Sequence, residues 1–281
     1  MKNLCTNLFL FLSFCVLPLL GMAQKTFSNK GSIRFQTHYG TFLTHSPKAA
    51  YLRDSYSSYH ELYYQQQTDG SKPWHQANGL PQWGVAVFWG NTGSRQYMGN
   101  MAGAYGFVNL PLLKTSGFTS KLRGGMGLGW VQNPYDKDNN HKNVLIGSPV
   151  NGYVGFLWQN ELRLAPKLFA NAGISFSHLS NGGSKMPNLG LNIPAISLGV
   201  RYGAGNAQTP QKVEKEQSQR LKYRLFTSAG VKQEPWIESN RYLVATISAE
   251  AGKQLGYSSL LSGGVVFFYV RSLQVHSAGM P

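Results

Sequence analysis

The stretch LFANAGISFSHLSNGGSKMPNLGLNIPAISLGVRY, residues 168–202, decides the fold. Read with period two, Leu168, Ala170, Ala172, Ile174, Phe176, His178 and Ser180 fall on one side. Phe169, Asn171, Gly173, Ser175 and Ser177 fall on the other. That alternation is the pattern of a strand with one apolar and one small or polar face. His178 and Ser180 are two apart, so they share a face, and it is the apolar one. After a loop from Gly182 to Leu191 the pattern resumes. Pro194, Ile196, Leu198, Val200 and Tyr202 oppose Ala195, Ser197, Gly199, Arg201 and Gly203, and Asn192 is in phase with the apolar set. Folded as a hairpin, the two runs project His178, Ser180 and Asn192 from one hydrophobic surface near the loop. A soluble enzyme would bury that surface, whereas a membrane barrel would show it to lipid.

The flanking sequence favours the barrel. Trp83, Val85, Val87 and Trp89 alternate with Gln82, Gly84, Ala86, Phe88 and Gly90, with tryptophans at both ends as bilayer interfaces require. Between Lys121 and Val131, Leu122, Met126, Leu128 and Trp130 oppose Lys121, Arg123, Gly125, Gly127 and Gly129. Charge and glycine inside with apolar residues outside describe a barrel wall rather than a soluble core. Val154, Phe156, Trp158, Leu162 and Leu164 repeat the pattern, and a tight turn at Ala165-Pro166-Lys167 leads into the central strand. Further candidates lie at 32–39, 61–67, 101–107, 223–231, 242–251 and 265–271, while 44–59 fits no element. The expectation is an all-β, antiparallel transmembrane outer-membrane β-barrel of about 8–12 strands. The candidates number roughly eleven, and because bacterial single-chain barrels use even numbers, one is spurious or missing. Short turns of such barrels face the periplasm, so the His-Ser end belongs to the outer leaflet. The polar connection from Gly205 to Leu221 is long for a periplasmic turn and reads as an insertion or short helix.

Lys2, the apolar run Leu8–Leu20 and Gly21-Met22-Ala23 read as a secretory signal peptide over 1–23, too short for a membrane anchor. Residues 24–281 are then the barrel domain. The end, Ser277 to Pro281, lacks an aromatic terminal strand, as a truncated version of a longer chain would. Both cysteines, Cys5 and Cys15, lie in the signal, which leaves the exported chain without disulfide or thiolate chemistry. With no long apolar helix after the signal, membrane crossing requires a closed barrel. The 32 Gly, 15 Tyr, 15 Phe and 6 Trp and a mean hydropathy of -0.25 suit alternating faces. The net charge of +15 points to polyanionic partners, and in an exported β protein to lipid phosphates rather than nucleic acid.

A serine and a histidine on one face suggest a nucleophile and its general base, with a third residue orienting the imidazole. The pair alone is a weak signal; its place on an apolar face strengthens it, because polar groups facing lipid are costly. His178 with His141 and His45 shows no metal-ligand spacing. His178-Leu179-Ser180-Asn181 followed by Pro187-Asn188-Leu189-Gly190-Leu191-Asn192 resembles the signature of the PagL-type lipid A 3-O-deacylases, often called acyloxyacyl hydrolases. The resemblance implies an outer-membrane barrel that hydrolyses an acyl ester of lipid A in lipopolysaccharide, without cofactor or metal. It implies His178 as base, Ser180 as nucleophile, and Asn181 and Asn188 as oxyanion donors, a task that needs donors aimed at developing charge. At the third catalytic place this family carries Glu, and this chain has Asn192. An amide oxygen can still accept from the imidazole and fix its tautomer, but it offers no charge to the imidazolium. Glu161 has the wrong phase to replace it. The competing readings are an inactive barrel that keeps the motif, and a porin or binding barrel whose lumen is lined by Lys121, Arg123, Arg163 and Arg201. Basic residues from Lys212 to Arg224 read as a solvated loop sooner than as a site for an acidic partner.

Overall fold

The computed structural model describes residues 31–44, 47–203, 221–234, 239–254 and 260–270. The expected signal peptide, His45 and most of the connection from Gly205 to Leu221 lie outside the described residues. Eight strands form a closed antiparallel barrel: β1 (Gly31–Gly40), β2 (Ser57–Gln67), β3 (Gln82–Asn91), β4 (Asn100–Lys114), β5 (Phe118–Val131), β6 (Val150–Ala165), β7 (Leu168–Ser180) and β8 (Leu191–Gly203). Each strand pairs with its sequence neighbour, and β1 closes on β8 with Arg34 opposite Arg201 and Phe35 opposite Val200. Three further strands, β9 (Leu221–Gln233), β10 (Arg241–Gln254) and β11 (Leu260–Val270), make a separate sheet with β10 in the middle. The eleven strand candidates thus divide into an even-numbered barrel and a sheet of three. Among the described residues no helix is long and apolar enough to cross a membrane; the only α-helix there is the five-residue α1 (Pro73–Ala77).

Alternation becomes a two-sided wall. Trp83, Val85, Val87 and Trp89 of β3 point outward and are exposed, as are Leu122, Met126, Leu128 and Trp130 of β5. An eight-stranded barrel is just wide enough for side chains to fill it, and here they do. Glu161 accepts from Arg201 (2.7 Å), Lys121 (3.3 Å) and Arg34. Glu61 accepts from Tyr105 (2.5 Å) and lies 3.4 Å from both Arg123 and His38. The Arg123 guanidinium lies 4.0 Å from the Tyr63 ring and 4.1 Å from the Phe107 ring. Arg163 departs from the lumen expected for it. It keeps the phase of Glu161, opposite Phe169, but lies at the end of β6, where the lumen opens and the side chain is exposed.

The two ends of the barrel differ. At one end β4–β5 and β6–β7 are joined by turns of two or three residues; the β2–β3 link, which carries α1, is longer. At the other end lie the four connections 41–56, 92–99, 132–149 and 181–190. Their apolar side chains pack inward: Phe42, Leu52, Met98, Leu145 and Ile146 are fully buried and join Tyr59, Val131 and Leu179 in one cluster. The segment 44–59, featureless in sequence, supplies a 3-10 helix (Pro47–Leu52) to this cap and then the start of β2.

Candidate active site

His178 and Ser180 sit at the capped end of β7, on the outer face, continuing the exposed row Ile174 and Phe176. Strand geometry places them about 6.6 Å apart along the chain. Asn192, the second residue of β8, is the direct cross-strand partner of His178. The antiparallel register therefore brings together residues fourteen positions apart and sends both side chains to the same face. His178, Ser180 and Asn192 are all half-buried.

The imidazole is oriented. His178 Nδ1 lies 2.6 Å from Asn192 Oδ1. An amide oxygen can only accept, so the proton is on Nδ1 and the lone pair of the neutral ring is on Nε2, the arrangement a general base needs. Asn192 is itself anchored, because Leu43 N–H donates to its carbonyl at 2.8 Å. Beside the ring, Gly190 has φ +78°, and a Cβ added there would come within 2.8 Å of His178 Cε1. Both facts require glycine. Gly190→Ala is expected to displace the ring and lower turnover about tenfold while the barrel still folds, given that small displacements of catalytic groups are expensive. Unchanged turnover with a folded barrel, read by heat-modifiable gel migration, would refute this.

The Ser180 hydroxyl is also held. Asn188 Nδ2 donates to Ser180 Oγ at 2.9 Å and Gly182 N–H donates at 3.2 Å. Asn181 N–H donates to Asn188 Oδ1 at 3.2 Å, which fixes the amide with its NH2 toward the serine. The side chain of Asn181 does different work from that of Asn188. Its Nδ2 donates to Lys185 O (2.7 Å) and Ser148 Oγ (3.0 Å), and its Oδ1 accepts from Gly183 N–H (2.9 Å). It staples the turn that presents Gly182 N–H.

A second loop buttresses the first. In connection 132–149, a Cβ at Gly147 would lie 2.5 Å from Pro187 O, so only glycine permits the two loops to approach this closely. Leu145 O accepts from Gly190 N–H at 3.0 Å. This loop is internally built: Asp136 accepts from the N–H groups of Asn139 and Asp138 at 2.8 and 3.0 Å, which hold its carboxyl below the usual range. The residues that sequence reasoning missed are thus Gly182 N–H, Ser148 and Leu43. Backbone donors and contacts between loops carry no periodic signal. His141, on this same loop, is exposed, and no group of three or more metal-ligating side chains occurs among the described residues.

The model of one protein family, lipid A 3-O-deacylase (PagL), matches residues 58–201. The chain belongs to that family. The match covers about half the chain and includes His178, Ser180, Asn181, Asn188 and Asn192. It begins within β2 and ends within β8, so β9–β11 lie outside the part by which the chain is recognised as a PagL-family protein. Among solved structures, that of Neisserial surface protein A (NspA) is similar, at 10% identity, a TM-score of 0.43, and coverage of 63% of this chain and 97% of that one. No curated protein sequence matches this PagL-family chain.

Proposed function

We propose that the protein is a serine esterase of the Gram-negative outer membrane that removes an ester-linked acyl chain from lipid A, with its site on the lipid-facing wall. The observation that carries this reading is the oriented pair on an apolar outer face: His178 fixed by Asn192 at 2.6 Å, with Ser180 next along the same row. An acyl chain would lie along Phe176, Ile174 and Ile196, which are exposed, and its ester would reach Ser180 at the rim. The filled lumen gives no support to a porin.

In this mechanism Ser180 exchanges its Asn188 contact for Nε2 of His178, a tightening that substrate binding often produces. Oγ attacks the ester carbonyl and its proton passes to Nε2. The oxyanion is met by Asn188 Nδ2 and Gly182 N–H, with Asn181 holding the turn. Collapse expels the lipid A hydroxyl, which takes the proton from His178. Water then hydrolyses the acyl-Ser180 ester by the same route. Asn192 fixes the tautomer throughout but adds no negative charge beside the imidazolium.

The test is mass spectrometry of lipid A from cells producing the chain. Loss of one hydroxyacyl mass is expected; an unchanged spectrum with the barrel folded in the outer membrane sinks the proposal. Asn192→Glu is a sharper probe. It restores the carboxylate of the family pattern and sets a negative charge beside the imidazolium that forms. With one extra methylene to accommodate, a gain of about tenfold is expected. A rate equal to or below that of the unmodified protein would show that Asn192 is not the orienting residue.

A further inference from the structure

We propose that Gln233, from the sheet outside the family-matched segment, is a positioning residue for the active-site loop, so that β9–β11 is part of the catalytic unit. The proposal rests on the deacylase reading above. Every other residue of β9 is exposed; Gln233, the last, is buried. It is buried because it docks on the loop 181–190. Its backbone N–H donates to Gly183 O at 2.8 Å. Its side-chain Oε1 accepts from Met186 N–H at 2.8 Å. Its Nε2 donates back to Ser239 O at 3.1 Å, which fixes the amide orientation and ties the clamp to the β9–β10 connection.

The two anchored positions bracket the part of the loop that matters. Gly183 N–H binds Asn181 Oδ1, and Lys185 O, adjacent to Met186, binds Asn181 Nδ2. Gln233 therefore holds the same turn as Asn181, from the outside. That turn presents Gly182 N–H to Ser180 Oγ. On the inside the loop rests on Gly147, Leu145 and Ser148 of the neighbouring connection. Without Gln233 the turn would lose its hold from β9 and keep that of Asn181. Both polar functions of the amide are used, so an apolar residue of the same length would leave Met186 N–H without its acceptor, a loss that local opening of the loop relieves.

Gln233→Met removes the side-chain contacts while keeping length and backbone pairing. Gln233→Glu keeps the acceptor for Met186 N–H. Amide hydrogen exchange of the full-length protein in detergent tests the clamp itself: Met186 is expected to exchange at least tenfold faster in Gln233→Met, and near the unmodified rate in Gln233→Glu. Kinetics on purified lipid A test the positioning: kcat is expected to fall about fivefold to tenfold in Gln233→Met with KM little changed, and to recover in Gln233→Glu. Exposed Lys232→Ala controls for general effects on β9, and heat-modifiable migration shows that each barrel is folded. Unchanged exchange at Met186 overturns the clamp. Faster exchange with unchanged kcat overturns positioning. An unmodified protein that leaves lipid A intact, with Met186 protected, overturns the deacylase reading and the catalytic role of Gln233 with it, while the clamp would remain as a structural fact.

Discussion

Replacing Ser180 with alanine is expected to lower lipid A deacylation by about six orders of magnitude, leaving only the acceleration that oxyanion donors and binding supply. In the proposed mechanism this hydroxyl forms the acyl-enzyme, and Asn188 and Gly182 N–H, which hold it, cannot replace it. His178→Ala is expected to cost nearly as much, because Ser180 then has no base on its face. The double variant should be no slower than either single one, since the two act as a unit. Liquid chromatography of released fatty acid from purified lipid A gives the rates. Two single losses that multiply in the double variant would mean that the residues act independently, contrary to the mechanism proposed.

The second large effect concerns folding. Glu161→Gln is expected to destabilise the barrel by about 3–5 kcal/mol, the usual result of removing one partner from a buried ion pair. Here the consequence is spread over three cations, since Arg34, Lys121 and Arg201 all converge on this carboxylate inside the lumen. A glutamine still accepts a hydrogen bond, but it leaves those charges without their counterion where water cannot repay them. Such a loss is a large part of the stability of an ordinary domain. Urea titration of the refolded barrel, followed by gel migration, measures it; a midpoint within experimental scatter of the unmodified protein would contradict the shared-counterion account. The outward-facing Ile174→Ala serves as a comparison with no lumenal partner to lose.

The wall was readable because its period is the shortest in protein structure. In β3, β5 and β7 every second residue announces its side, and the phase of Glu161 was enough to place it in the lumen. The common face of His178, Ser180 and Asn192 followed from the same phase carried across one hairpin. Closure was not readable. Nothing in β8 declares that it pairs with β1, more than 150 residues earlier, rather than with β9, and the division into eight strands and three depends on that pairing. The phase of Arg163 was read correctly, but a period does not say where the lumen ends, and Arg163 lies at its open rim. Gly182 N–H, the Ser148 hydroxyl and Gln233 were silent for another reason. Their roles come from where loops meet, and a loop has no period to read.

The anchoring of Asn192 by Leu43 has a consequence for the timing of activity. Leu43 follows β1, the strand that closes the barrel against β8, whereas His178 and Asn192 belong to a local hairpin. The hairpin joins strands adjacent in sequence, whereas the Leu43 contact arrives only when the first and last strands of the barrel have met. Under the proposed function, a chain that has not yet closed its barrel would carry His178, Ser180 and Asn192 yet lack this support. Competence would then mature at the same moment as closure of the barrel.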